Sequence, residues 1–165
     1  MKTLVLLRHA KAESESDLGD HMRALSAKGR DQARELAALI HAESGDVDAV
    51  LVSSALRTKE TYRLLAGQGE SWPAGTSLDA LYEAGPREVM DVLAEHDEDT
   101  GTIMIVGHEP TMSSLAHLLH DAKDELGQQI RLGVPTATAC VLDVPVPWSE
   151  LDRNTCHVRA VVRPA

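Results

Sequence analysis

At 165 residues the chain fits one domain, residues 1–165, with a substantial core, and its 43% hydrophobic content excludes a disordered chain. Phe is absent and Trp and Tyr number two each, so aliphatic and alanine packing must build that core. A net charge of −10 argues against nucleic-acid binding, which needs a basic surface, and obliges any anion site to gather its cations locally.

The first element runs from Lys2 to Leu7, nearly continuous Leu and Val, as in a strand buried on both faces of a parallel sheet. The pentapeptide Leu6-Leu7-Arg8-His9-Ala10 then places an Arg–His pair where that strand runs out. The stretch before Arg8 is too short for a signal-peptide core or a membrane span, so a cytoplasmic protein with no membrane partner is expected. Lys11 to Leu25 is long and polar, and an ordered loop is expected there. Ser26 is placed to cap a helix whose buried face carries Ala33, Leu36, Ala37 and Ile40, and Gly45 ends that unit.

Asp48 to Ser53 reads as a second strand, and Ser54 is placed to cap a helix from about Ala55 to Leu65. The loop Gly67 to Gly75 leads to a short segment near Leu78 and Leu81. Pro86 can start a helix with Val89, Val92 and Leu93 as its apolar positions. Thr102 to Val106 is a third strong strand, followed by Gly107-His108-Glu109-Pro110-Thr111 and a Thr111-capped helix to about Leu119. Two more strands, Thr138 to Val144 and Cys156 to Val162, flank a Pro/Trp loop. Strands alternating with helices predict a single-domain α/β fold, a three-layer α/β/α sandwich with a mostly parallel central sheet. The last two strands are expected to pair as an antiparallel edge. Cys140 and Cys156 fall in separate strands without metal-type or redox-type spacing, so they read as buried, reduced thiols.

Each of the three strongest strands ends in a loop that donates a cation or an imidazole. The first gives Arg8 and His9, the second Ser53-Ser54-Ala55-Leu56-Arg57, the third Gly107-His108. Parallel sheets bind ligands beyond the carboxyl ends of their strands. There an imidazole can serve as a covalent nucleophile, and a guanidinium can hold phosphate oxygens in a two-pronged fork. Singly, each residue also reads as ordinary: a solvated loop pair, a snorkelling surface Arg57, a satisfied turn His108. Arg57, in a first helical turn, opposes the helix dipole, and an anion would remove that conflict. His117 and His120, with Asp121 adjacent, have metal-type spacing but read better as a solvated helix face; no metal and no cofactor are expected. His21 lines the long loop near the site with no role assigned, and the acidic residues of that loop read as solubilising.

The segments Leu7-Arg8-His9-Ala10, Ser53-Ser54-Ala55-Leu56-Arg57-Thr58 and Val106-Gly107-His108-Glu109-Pro110 resemble the three signature blocks of the histidine phosphatase superfamily. That superfamily includes the cofactor-dependent phosphoglycerate mutases. The resemblance is closest to the small SixA-type phosphohistidine phosphatases, covers nearly the whole chain, and implies a phosphoglycerate mutase-like fold. Asp20 to Gly29 also fits, with an acidic residue, Arg23-Ala24-Leu25 and a Gly-containing helix start. Ala10 departs from the superfamily's usual Gly but is small enough for close approach.

The resemblance implies that His9 attacks phosphorus and becomes phosphohistidine, while Arg8, Arg57 and His108 clamp the phosphoryl oxygens. His108 contributes fully when protonated, which nearby phosphate charge favours. Water then releases phosphate. Glu83, in Leu81-Tyr82-Glu83-Ala84, lies where many members keep a proton-donating acid, and in that role it would hold a raised pKa; its plain alternative is a solvated Glu. An alkoxide leaves poorly without an acid, whereas an imidazole leaves readily. About twenty-five residues separate Arg57 from Glu83, which leaves little room for a lid. An open site favours a phosphohistidine-bearing protein as substrate. The alternatives are a small phosphoester handled with Glu83 as general acid, and a phosphoprotein-binding module without turnover. The presence of His9 counts against the module, and the short chain against a mutase.

Overall fold

The computed structural model describes residues 1–69 and 71–165. Six strands form one sheet: β1 (Lys2–Arg8), β2 (Ala49–Ser53), β3 (Gly75–Leu78), β4 (Thr102–Gly107), β5 (Ala139–Val144) and β6 (His157–Val162), in the order β3-β2-β4-β1-β5-β6. The helices are α1 (Ala27–Ser44), α2 (Leu56–Ala66), α3 (Pro86–Ala94), α4 (Thr111–Leu119) and α5 (Glu125–Arg131).

Side chains of a strand alternate between faces, and here both faces are buried. Leu4, Leu6, Ile103 and Ile105 pack with Val89, Leu93, Leu115, Leu119 and Ile130 of α3, α4 and α5. Val5, Leu7, Met104 and Val106 pack with Leu36, Ile40 and Leu65 of α1 and α2. The three-layer expectation is met, and aliphatic residues supply most of the packing in the absence of Phe.

β3, β2, β4 and β1 run parallel, and β5 runs antiparallel to β1. The last two strands do pair antiparallel, but the reversed strand is β5, inside the sheet, while β6 forms the edge. Register sets the parallel strands level: Arg8 lies opposite Gly107, and Ser53 opposite Leu78. One side of the sheet therefore collects every parallel carboxyl end. Because β5 is reversed, the segment before it, residues 134–138, arrives at that same side.

Helix starts match the sequence in part. The Ser26 side chain accepts the Gly29 N–H at 3.1 Å, Pro86 opens α3, and Gly45 ends α1 with φ +68°. Ser54 and Thr111 are not caps. Ala55 and Pro110 hold those positions without side-chain bonds, and both hydroxyls have tertiary partners instead. β3 and α5 are additional to the elements expected from the sequence.

The stretch Lys11 to Leu25 is ordered as expected. A bridge between Ala12 and Leu25, a bond from Glu13 N to Ala24 O at 2.8 Å and a short helical turn, Asp20–Met22, hold it in shape. It crosses α1 so closely that a Cβ on Gly29 would lie 1.9 Å from the Lys11 carbonyl oxygen. Cys140 and Cys156 are free and buried, and burial pushes the Cys140 thiol up to about 12.

Candidate active site

His9 follows the last residue of β1 and is clamped by backbone on both sides. Its N–H donates to Gly107 O at 3.1 Å, and its carbonyl accepts from Ala137 N at 2.9 Å. Its ring Nδ1–H donates to Ala10 O at 2.7 Å, which fixes the tautomer. Nε2 then carries the lone pair and has no hydrogen-bond partner among the described residues. Burial first, then the charges of Arg57 and Arg8, lower the His9 pKa to about 4, so the ring is neutral at physiological pH.

His108, in the turn between β4 and α4, faces His9 with ring centroids 5.5 Å apart. Its Nε2 is 2.7 Å from Ser53 Oγ, and that hydroxyl accepts from Ala55 N at 3.4 Å. Ser53 is fully buried and its hydroxyl has no other acceptor among the described residues, so it donates to Nε2, which puts the ring N–H of His108 on Nδ1. Burial, then Arg57, lowers the His108 pKa to about 3. The resting His108 is therefore neutral, and the protonation that the resemblance ties to nearby phosphate charge would have to be drawn in by a phosphoryl group.

The two arginines are held in different ways. Arg8 donates from Nη1 to Val134 O at 2.8 Å. Val134 N in turn donates to Glu109 Oε2 at 3.0 Å, and Glu109 also accepts from Ser113 N and Ser113 Oγ, both at 2.7 Å. Glu109 thereby joins the start of α4 to the segment that anchors Arg8. Arg57 is 6% exposed and turns both Nη groups to Asp20, one to its carbonyl at 2.9 Å and one to its carboxylate at 3.2 Å. The anion sought by a cation in a first helical turn is supplied, in part, by the protein itself. Tyr82, foremost, with Arg23 and Arg57 holds Asp20 well below the usual carboxylate range.

Among the described residues, four buried side-chain nitrogens lack a hydrogen-bond partner. Three of them are Arg8 Nε, Arg57 Nε and His108 Nδ1. Buried donors are normally satisfied, so their gathering around His9 marks a place suited to an oxyanion.

The structure thus brings Arg8, His9, Arg57 and His108 to one end of the sheet. Glu83 is exposed and makes no hydrogen bond or ion pair among the described residues, while its neighbours reach inward. The Tyr82 ring lies 5.7 Å from His108, and Ala84 O accepts from Thr111 Oγ1 at 2.6 Å. His21 bonds Ser54 Oγ at 2.9 Å and meets Tyr82 edge-on at 4.7 Å. Ser53, Ser54, Tyr82 and Glu109 sit in or beside the recognised segments. Their partners, however, lie far along the chain, so no local spacing singles them out.

His120 is not on a solvated face. It is buried, with Nδ1 accepting from Val158 N at 2.9 Å and Nε2–H donating to Asp124 at 3.0 Å. Its potential ligand atoms lie within 4.8 Å of those of Asp121 and His157, yet both its nitrogens are already committed.

A model of the histidine phosphatase superfamily (branch 1) matches residues 4–74. An uncharacterized protein of Mycobacterium tuberculosis is 32% identical over 149 residues, covering 88% of this chain and 92% of its own. A Nakamurella multipartitia structure, assigned provisionally as the phosphohistidine phosphatase SixA, superposes with a TM-score of 0.87 at 28% identity, covering 99% of this chain and 96% of its own. The protein histidine phosphatase SixA complexed with tungstate shares the fold at 18% identity, with a TM-score of 0.80 and coverage of 98% and 97%. So does a mycobacterial glucosyl-3-phosphoglycerate phosphatase at 17% identity, TM-score 0.64 and coverage of 96% and 97%; the fold alone therefore selects no substrate. The signature segments, the sheet that aligns them and these matches together establish that the chain belongs to the histidine phosphatase superfamily.

Proposed function

We propose that the protein removes phosphate from phosphohistidine in proteins through a covalent phosphohistidine on His9, without a metal. The observation that carries this reading is the state of His9: neutral, tied at Nδ1 and free at Nε2, against His108 and two guanidiniums. The Nε2 lone pair would form the bond to phosphorus as the substrate's N–P bond breaks, and the leaving imidazole keeps that electron pair and takes up a proton. Water would then attack phosphorus, the P–N bond to His9 would break, and inorganic phosphate would leave with the ring restored. Arg8, Arg57 and His108 would bind the phosphoryl oxygens and balance charge in both transition states. The fixed guanidiniums of Arg8 and Arg57 support a metal-independent mechanism.

Substrate choice rests on access. Between Arg57 and Glu83 the described residues are spent on α2, β3, a short helical turn and their connections. None of these elements is an added lid, so a side chain on a folded protein is favoured. The exposed Glu83 beside Tyr82 supports a second reading, a small phosphoester with Glu83 as general acid.

The test offers a phosphohistidine-bearing carrier protein and an aryl phosphate to wild type, His9→Ala and Glu83→Gln, with and without a chelator. Phosphohistidine turnover that is lost in His9→Ala and survives both chelator and Glu83→Gln is expected. A fully active His9→Ala sinks the mechanism, and chelator sensitivity sinks the metal-independent part. A wild type that binds the carrier but turns over neither substrate would be a binding module.

A further inference from the structure

Three separate segments meet at one carboxylate. Asp20, in the loop after β1, accepts from Arg57 Nη2 at 3.2 Å and from the Tyr82 hydroxyl at 2.5 Å, both at Oδ2. Its Oδ1 accepts from Arg23 Nε at 2.9 Å, and its backbone oxygen takes Arg57 Nη1 at 2.9 Å. Both Nη groups of a buried arginine are thus fixed by one residue. Yet the Asp20 side chain is 54% exposed, and exposed ion pairs contribute little to stability. The arrangement needs another reason.

The surroundings suggest one. Tyr82 stands edge-on to His21 and His108, at 4.7 and 5.7 Å. Adjacent serines at the end of β2 hold those two imidazoles, Ser54 taking His21 and Ser53 taking His108. Through Tyr82, Asp20 links Arg57 to the wall that faces His9.

Resting on the reading that Arg57 receives a phosphoryl group, we propose that Asp20 is a positioning residue which, with Tyr82, clasps the Arg57 guanidinium in one orientation. A guanidinium is a rigid fork, so fixing its plane in advance reduces what must be ordered when the phosphoryl group arrives. The carboxylate carries an opposing cost, because its negative charge disfavours an anion beside Arg57. Charge and orientation can be separated by substitution. Asn at position 20 keeps a carbonyl oxygen that can take both Arg57 and Tyr82 but removes the charge. Ala removes the charge and the acceptor together.

The experiment uses the full chain as wild type, Asp20→Asn, Asp20→Ala, Arg57→Ala and the double variant Asp20→Ala/Arg57→Ala. Turnover of the phosphohistidine carrier and of an aryl phosphate is measured, together with tungstate binding by calorimetry. Asp20→Ala is expected to lower kcat about tenfold or more, with Asp20→Asn within about threefold of wild type. Tungstate should bind about fivefold more weakly to Asp20→Ala than to Asp20→Asn, although both lack the charge. In the Arg57→Ala background, Asp20→Ala should cost less than about twofold, because its effect runs through Arg57. Equal tungstate affinity in the Ala and Asn variants, or a cost that persists without Arg57, overturns the clasp. If wild type turns over neither substrate, the phosphatase reading fails, and tungstate binding by the single variants decides the clasp on its own.

Discussion

Holding His9 neutral has a measurable cost in acid. Its pKa is about 4 in the folded chain against the usual 6.5 in the unfolded one. The unfolded state therefore binds the extra proton first, so stability is present above about pH 6.5 and drains away as pH falls towards 4. At 1.36 kcal/mol per pKa unit, the loss from His9 alone between pH 7 and pH 5 comes to about 2 kcal/mol. For a chain of this length that corresponds to about 4–8 °C in Tm. His9→Asn removes the titrating ring and leaves the rest of the cluster. Denaturant unfolding of both proteins at the two pH values isolates the effect as a difference of differences, in which any pH-independent change caused by the substitution cancels. Wild type is expected to lose about 2 kcal/mol more than His9→Asn on acidification. Equal losses would show that His9 titrates as it does in the unfolded chain, and the case for a neutral, preformed nucleophile would fall with it.

Ser53→Ala leaves His108 Nε2 without its donor and frees the choice of tautomer; kcat/KM is expected to fall about tenfold, and unchanged kinetics would refute the role given to Ser53. Glu109→Gln sets an amide N–H against either the Ser113 N–H or the Val134 N–H. A loss of about 1–3 kcal/mol in urea unfolding is expected, with impaired turnover because Val134 anchors Arg8, and full stability would refute it. Gly29→Ala forces the loop off α1, because its Cβ would sit 1.9 Å from Lys11 O. It should cost about 2 kcal/mol or more by the same measurement, and a wild-type midpoint would refute it.

What could be read from the sequence follows the range of the interactions involved. β1, β2 and β4 are buried on both faces, so each appears as an aliphatic run, and their shared carboxyl ends put Arg8, His9, Arg57 and His108 together. β3, Gly75-Thr76-Ser77-Leu78, is an exposed edge strand with almost no apolar signal. α5 has only seven residues, too few to show a helical period. Ser54 and Thr111 look like caps by position, yet His21 and the Ala84 carbonyl claim their hydroxyls. Local propensity yields wherever a tertiary partner offers a better bond. His120 ends the short helix that carries His117, and it is the return of β6 and the start of α5, both distant in pattern from that helix, that claim its two ring nitrogens.

The reversal of β5 shows how a feature absent from any local pattern can shape the site. A parallel β5 would enter the sheet at the opposite side, and residues 134–138 would lie far from His9. Run backwards, the strand delivers Val134 O to Arg8, Thr138 O to the Arg8 amide and Ala137 N to the His9 carbonyl within five residues. The same segment reaches Glu109 through Val134 N, so the turn carrying His108 and the strand carrying His9 share a support. Each arginine then has a carboxylate nearby that also ties down a loop: Asp20 directly for Arg57, and Glu109 through Val134 for Arg8. With both imidazoles neutral, three guanidiniums (Arg8, Arg23 and Arg57) face these two carboxylates, which leaves the cluster only weakly cationic at rest. Such a site gains most from an anion whose charge builds up during reaction, because its donors are already fixed while its resting attraction is small.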